Sequence, residues 1–219
     1  AVAGARPRWL TWALIIEEGT ERELPERVTA GAARAVEEAS VQIVAGDTKV
    51  VPRGKGDGVF AITSGLGIVP PGRELGDARV AAGDVVLASG PLGDHGAAVL
   101  ARRHGLDEGE LVSDCAPLGG LVEALLSGGV EVHAMHDPTR GGVATVCHEV
   151  ATRAGARIVL EQALLPIRPQ VRGIVEILGI DPLYLACEGR CLAWVPERDA
   201  ERALRIWRAA ESNDRMGSL

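Results

Sequence analysis

The chain has 219 residues, 47% of them hydrophobic and 24% charged, which is enough apolar material for one or two packed domains and excludes a disordered or collagenous chain. Twenty-eight glycines beside only 3% aromatic residues imply a core of Ala, Val, Leu and Ile joined by many tight turns. The net charge of −7, with acids and bases interleaved, argues against a nucleic-acid surface, and no apolar run approaches the roughly 18 residues of a membrane span.

In chain order, Leu24 to Ser40 is predicted to be a helix, because Val28, Ala32, Ala35, Val36 and Ala39 fall on one stripe. Val41 to Gly46 and Gly58 to Val69 read as strands. Pro70 to Asp84, with two prolines and three glycines, reads as an irregular crossing. The expected organisation is a first domain over residues 1–70, a linker over 71–84 and a second α/β domain over 85–219.

The second domain is predicted to run strand Asp84 to Gly90, helix His95 to His104, helix Pro117 to Ser127, strand Val130 to Met135 and helix Gly142 to Ala154. Strand Arg157 to Glu161, helix Arg168 to Leu178, strand Arg190 to Pro196 and helix Glu197 to Ala210 follow, with a frayed end over residues 211–219. The alternation makes the fold α/β, or α+β with mixed sheets. A sheet that stops on a helix suggests a further strand. The first residue is Ala rather than Met, which suggests a piece of a longer chain.

Three glycine-flanked acidic motifs are expected at strand ends, where open sheets place ligands: GDTKVV (Gly46 to Val51), SGPLGDHGA (Ser89 to Ala97) and HDPTRGG (His136 to Gly142). Asp47 and Lys49 lie on the same side of an extended chain. Asp137 is followed by Pro138, Thr139, Arg140, Gly141 and Gly142, which open a helix suited to an anion. Each motif taken alone is also an ordinary turn or cap. With neither a P-loop nor a GxGxxG fingerprint, a nucleotide would have to bind through acids that hold Mg²⁺.

His148 and Glu149 begin an HExxH pattern that Thr152 breaks, and His133 and His136 are expected on opposite faces of a strand, so neither pair reads as a metal site. The four cysteines are expected to be reduced, as in the cytoplasm, and Cys191 to be a buried small hydrophobe. Glu188, between Cys187 and Gly189, is a candidate general base.

Taken together, GDTKVV, SGPLGDHGA, SDCAPL (Ser113 to Leu118), HDPTRGGVAT and LGIDPLYLACEGR (Leu178 to Arg190) resemble the HypE carbamoyl dehydratases of nickel–iron hydrogenase maturation, within the aminoimidazole ribonucleotide synthetase and selenophosphate synthetase superfamily. The resemblance implies a cytoplasmic homodimer with a two-domain aminoimidazole ribonucleotide synthetase-like fold, and ATP and Mg²⁺ held between domains. It implies that a carbamoyl group delivered by HypF to a C-terminal cysteine is dehydrated with ATP to a thiocyanate, whose cyanide passes to a HypC–HypD complex. By the same resemblance Asp47 and Asp137 hold Mg²⁺, and Thr48, Thr139, Gly141 and Gly142 help to bind the nucleotide. Lys49 and Glu188 supply the cation and the base.

Measured against that family, an N-terminal glycine-rich segment and a C-terminal cysteine tail are missing, Cys187 stands where the family has Asn, and Arg190 stands where it has Lys. The expectation is a chain truncated at both ends that does not turn over alone. The rival readings are another ATP-dependent synthetase of the superfamily and a noncatalytic dimerisation or partner-binding module. Asp94 and Asp114 lie in the resembling motifs, with no separate physical case for chemistry at this level.

Overall fold

The computed structural model describes residues 1–106 and 111–217, with side chains to Ala210. It divides into two compact units: Ala5–Pro71 with Ala1, and Gly72–Leu219 with Val2–Gly4.

The first unit is a three-stranded sheet with one helix: β1 (Arg6–Glu17), α1 (Glu23–Glu38), β2 (Gln42–Val51) and β3 (Val59–Ile68), in strand order β2-β1-β3. β1 runs parallel to β2, with α1 as the crossover, and antiparallel to β3. β1 lies in a segment to which the sequence pattern assigns no element. The pattern ends β2 at Gly46, but the strand continues through GDTKVV to Val51, so this motif lies within a strand and not at its end. The reason is that Gly46 marks a close approach of backbones: a Cβ there would lie 2.6 Å from the Trp12 carbonyl oxygen of β1.

The second unit contains β4 (Asp84–Ala88), α2 (Asp94–Arg103), α3 (Gly119–Ser127), β5 (Ala134–His136), α4 (Gly142–Ala154), α5 (Pro169–Leu178), β6 (Leu192–Pro196) and α6 (Glu197–Gly217). β6 is central and antiparallel to both β4 and β5. The C-terminal ends of β4 and β5 and the N-terminal end of β6 therefore share one edge of the sheet, and that geometry positions the site.

The helices cover the sheet through their apolar stripes. Val143, Val146, Cys147 and Val150 of α4 are buried at helical spacing, and the helix ends at Gly155 in the left-handed conformation. α5 starts with Pro169 at its first turn and buries Val171, Ile174 and Val175. In α6, Trp207 is buried and its indole Nε1–H donates to the Leu121 carbonyl of α3 at 3.2 Å.

In the second unit four sequence expectations shift. β5 is shorter and later than Val130 to Met135. α3 begins at Gly119 and not Pro117. Arg157 to Glu161 pairs with no strand among the described residues. Ile158 and Leu160 still pack on the core while Val159 is exposed, so the alternation that suggests a strand is real, but no ladder forms. This segment and β4 line one groove of about 980 Å³. Finally, the helical backbone of α6 runs through the expected frayed end to Gly217, and the last two residues of that tail lie outside the described residues. Among the described residues no helix is long and apolar enough to cross a membrane.

Candidate functional site

At the shared edge of the second sheet, four motif-bearing loops meet. The 89–93 loop leaves β4, the 137–141 loop leaves β5, and the 186–191 loop enters β6. The Cys187 N–H donates to the Pro138 carbonyl at 2.9 Å and its Sγ accepts from the Gly93 N–H at 3.1 Å. Ser89 and Cys191 exchange two bonds: the Ser89 N–H donates to the Cys191 carbonyl, and the Cys191 N–H donates to Ser89 Oγ, each at 3.0 Å. The Arg190 guanidinium donates to the Pro91 carbonyl at 3.3 Å. The fourth loop, 113–117, joins through Asp114, whose Oδ1 accepts the Glu188 N–H at 2.8 Å.

Two carboxylates are buried in this cluster. Asp94, at the first turn of α2, is 2% exposed and Asp114 is 8% exposed. Asp94 Oδ1 and Asp114 Oδ2 have no hydrogen-bond partner among the described residues. Burial pushes the Asp94 carboxyl above its ordinary pKa and the Asp114 charge adds to this, while Arg168, 3.3 Å from Asp94 Oδ2, opposes it. His95 Nδ1 and Ser113 Oγ share a hydrogen bond of 2.8 Å, and the same hydroxyl accepts the Cys115 N–H at 3.1 Å.

Of the residues anticipated from sequence, Glu188 is exposed on its anchored loop, and Asp137 and Thr139 are half-buried before α4. Gly141 and Gly142 both have positive φ and open α4, whose N-terminus no side chain caps. A Cβ at Gly142 would strike the Leu183 and Leu185 carbonyls, so the turn requires glycine there. An uncapped first turn is a place for an anion.

Asp47, Thr48 and Lys49 belong to the first unit, all exposed on β2. Asp47 Oδ1 accepts the Thr48 N–H at 2.8 Å. The register pairs Ala13 with Asp47 and Ile62, and Ile15 with Lys49 and Phe60, so acid and lysine share one face of the sheet, as period-two spacing implies.

Cys191 is buried, and burial pushes its thiol and those of Cys147 and Cys187 up to about 11. His133 and His136 face different carboxylates, Asp84 and Asp77. Sequence reasoning missed the structural weight of Asp94, Asp114, Ser113 and His95. Its signal lay in SDCAPL and GDHG, two motifs whose partners are far apart in the chain.

Residues 81–214 match the C-terminal domain, and residues 1–69 the N-terminal domain, described as AIR synthase related protein. The chain belongs to this family. Its likeness within the family is to HypE. The carbamoyl dehydratase HypE of Rhodobacter capsulatus is 52% identical over 210 residues, covering 95% of this chain and 62% of the relative. A crystal structure of a HypE–HypF complex superposes with a TM-score of 0.91 at 42% identity, covering 95% of this chain and 69% of that one. HypE in complex with ATP gives 0.91 at 43% identity, over 94% and 62%. The chain thus spans about 62% of the length of the Rhodobacter relative.

Proposed function

We propose that this chain is part of an ATP-dependent carbamoyl dehydratase of hydrogenase maturation, which converts a cysteine S-carboxamide to a thiocyanate that supplies the cyanide ligand of a nickel–iron centre. The observation that carries the reading is the convergence of the SGPLGDHGA, SDCAPL, HDPTRGG and ACEGR loops on one sheet edge, with the Glu188 carboxylate exposed there. Identity of 52% to a HypE supports it. Turnover is assigned to the full-length protein, not to this chain in isolation, and the place of action to the cytoplasm.

The chemistry asks for three things. The amide oxygen attacks the γ-phosphorus of ATP, ADP leaves, and a proton leaves the amide nitrogen; phosphate then departs as the remaining N–H proton is lost and the C≡N bond forms. Glu188 is proposed as the base for the nitrogen proton, and Lys49 as the cation that meets charge on the transferring phosphoryl group. Asp47 and Asp137, with Thr48 and Thr139 beside them, offer the hard oxygens that suit Mg²⁺. Among the described residues no three His, Cys, Asp or Glu side chains form a metal cluster, and an ion that keeps water and phosphate ligands needs only one or two carboxylates. Mg²⁺, when bound, neutralises phosphate charge. The uncapped start of α4 at Gly141 and Gly142 would receive phosphate oxygens.

HypF is proposed as carbamoyl donor, supported by the solved HypE–HypF complex, and a HypC–HypD complex as cyanide acceptor. A homodimer is proposed from the first sheet, where Trp9, Phe60, Ile62 and Leu66 lie exposed on one face.

The test gives the full-length protein a cysteine S-carboxamide and Mg·ATP and follows the mass of the cysteine-bearing segment with ADP release. Loss of one water per ADP is the expected result. ATP consumption on a free small molecule, with no change at cysteine, would transfer the chain to another synthetase of the superfamily.

A further inference from the structure

The loop carrying Glu188 is bound on one flank by backbone and thiol groups: the Cys187 N–H to the Pro138 carbonyl, and the Gly93 N–H to Cys187 Sγ. Its other flank rests on Asp114, 74 positions earlier, whose carboxylate accepts the Glu188 N–H itself. The contact is close along its length. A Cβ added to Gly189 would strike the Asp114 carbonyl oxygen and lie 2.8 Å from the Ala116 nitrogen, so residues 188–189 lie flat against 114–116.

Asp114 carries an unusual cost for a residue that only packs. It is 8% exposed, and its Oδ2 has no partner among the described residues, although the carboxylate of Asp94 is near enough to be felt electrostatically. A buried, half-satisfied carboxylate calls for an explanation beyond packing. A charged acceptor makes a stronger and more directional bond to a backbone N–H than a neutral one. It is placed at the residue whose side chain the reaction would use.

We infer that Asp114 is a positioning residue, fixing the backbone at Glu188 so that the Glu188 carboxylate is presented at the sheet edge in one orientation. The inference rests on the reading of Glu188 as the base. Asp114 touches no reacting atom. It acts through the loop, as outer partners of a reacting group do.

The test is a double-mutant cycle on the full-length protein, reading kcat and the KM for ATP separately, with thermal melting to confirm folding. Glu188→Gln alone must lower kcat; if it does not, the base reading fails and the inference falls with it. Given that loss, Asp114→Ala should lower kcat by about 10- to 100-fold, with the KM for ATP changed by less than about twofold. Asp114→Asn, whose Oδ1 still accepts the Glu188 N–H but without the charge, should give a rate between those of Asp114→Ala and the parent protein. In the Glu188→Gln background Asp114→Ala should change the residual rate by less than about twofold, because the two act as one unit. Multiplying effects, or an unchanged kcat in Asp114→Ala while Glu188→Gln is impaired, would overturn the assignment. Should Asp114→Ala not fold, Asp114→Thr, which keeps bulk without the carboxylate, enters the same cycle.

Discussion

The Sγ of Cys187 accepts the N–H of Gly93 at 3.1 Å, across 94 positions of sequence, and so ties the start of α2 to the loop that carries Glu188. Both residues are buried. Cys187→Ala leaves that N–H without its acceptor and should cost about 1–3 kcal/mol, the usual penalty of an orphaned buried donor. Urea denaturation of variant and parent chain checks it. An unchanged midpoint would mean that water or a shifted loop replaces the thiol.

Cys115 is the exposed thiol, while Cys147, Cys187 and Cys191 are buried. Under native conditions a thiol reagent should therefore modify one cysteine quickly and the other three only on unfolding. Partial burial, then the charges of Glu188 and Asp114, push the Cys115 pKa up, so its reaction near neutral pH should be slower than that of a free thiol. Glu188→Gln removes one of those charges and should speed the labelling. An unchanged rate would place Glu188 too far from Cys115 for its charge to act there.

His133 presents both ring nitrogens to acids: Nδ1 lies 2.7 Å from Asp84 Oδ2 and Nε2 lies 3.1 Å from Glu131 Oε1, and Glu131 also pairs with Arg198 of α6. Burial works against the imidazolium, but the hydrogen bonds and charges of Asp84 and Glu131 outweigh it and raise the pKa. A histidine raised on folding stabilises fully below its unfolded value of about 6.5, and this contribution is lost as pH rises through the folded value. Thermal melts across that window should fall with pH in the parent chain and fall less in His133→Asn. Asp77, held below its ordinary pKa by the His136 and Arg153 hydrogen bonds against the cost of burial, behaves oppositely. Its contribution is present above about 3.9 and is lost as pH falls through the folded value.

Gly142 combines φ +61 with a Cβ path blocked by two backbone carbonyls. Gly142→Ala should destabilise the second unit by about 2–3 kcal/mol, since neither collision can be relieved by turning a side chain. Gly120→Ala, where nothing lies within 4 Å, should cost little. Chemical denaturation of the pair separates the two cases.

On the proposed reading of Glu188 as the base, Glu188→Gln in the full-length protein should lower the dehydration rate by about 10²- to 10⁴-fold, the usual weight of a general base. Lys49→Ala should lower kcat with less effect on nucleotide affinity if its charge serves the transferring phosphoryl group. Single-turnover rates and nucleotide titrations read the two apart. A loss confined to affinity would make Lys49 a binding residue.

The sequence made much of the second unit legible. Val143, Val146, Cys147 and Val150 write their helix at 3.6-residue spacing, and Pro169 and Gly179 bracket the next one, because burial of one face and local punctuation act over short distances. Misplaced boundaries have physical causes too. Gly46 has the look of a strand end, yet it is where β1 comes close, and residues 157–161 alternate correctly but pair with no strand among the described residues.

By itself, the sequence determined most helices of the second unit and the family, and it put the proposed site residues Asp47, Lys49, Asp137 and Glu188 in view as motifs. Tertiary structure alone decided which motifs meet. That Cys187 holds Gly93 depends on β6 lying between β4 and β5, which brings three strand ends to one edge, and Asp114 reaches Glu188 there from the 113–117 loop between α2 and α3. Periodicity records which face of an element is buried; it carries no record of which distant loop a buried carboxylate will find.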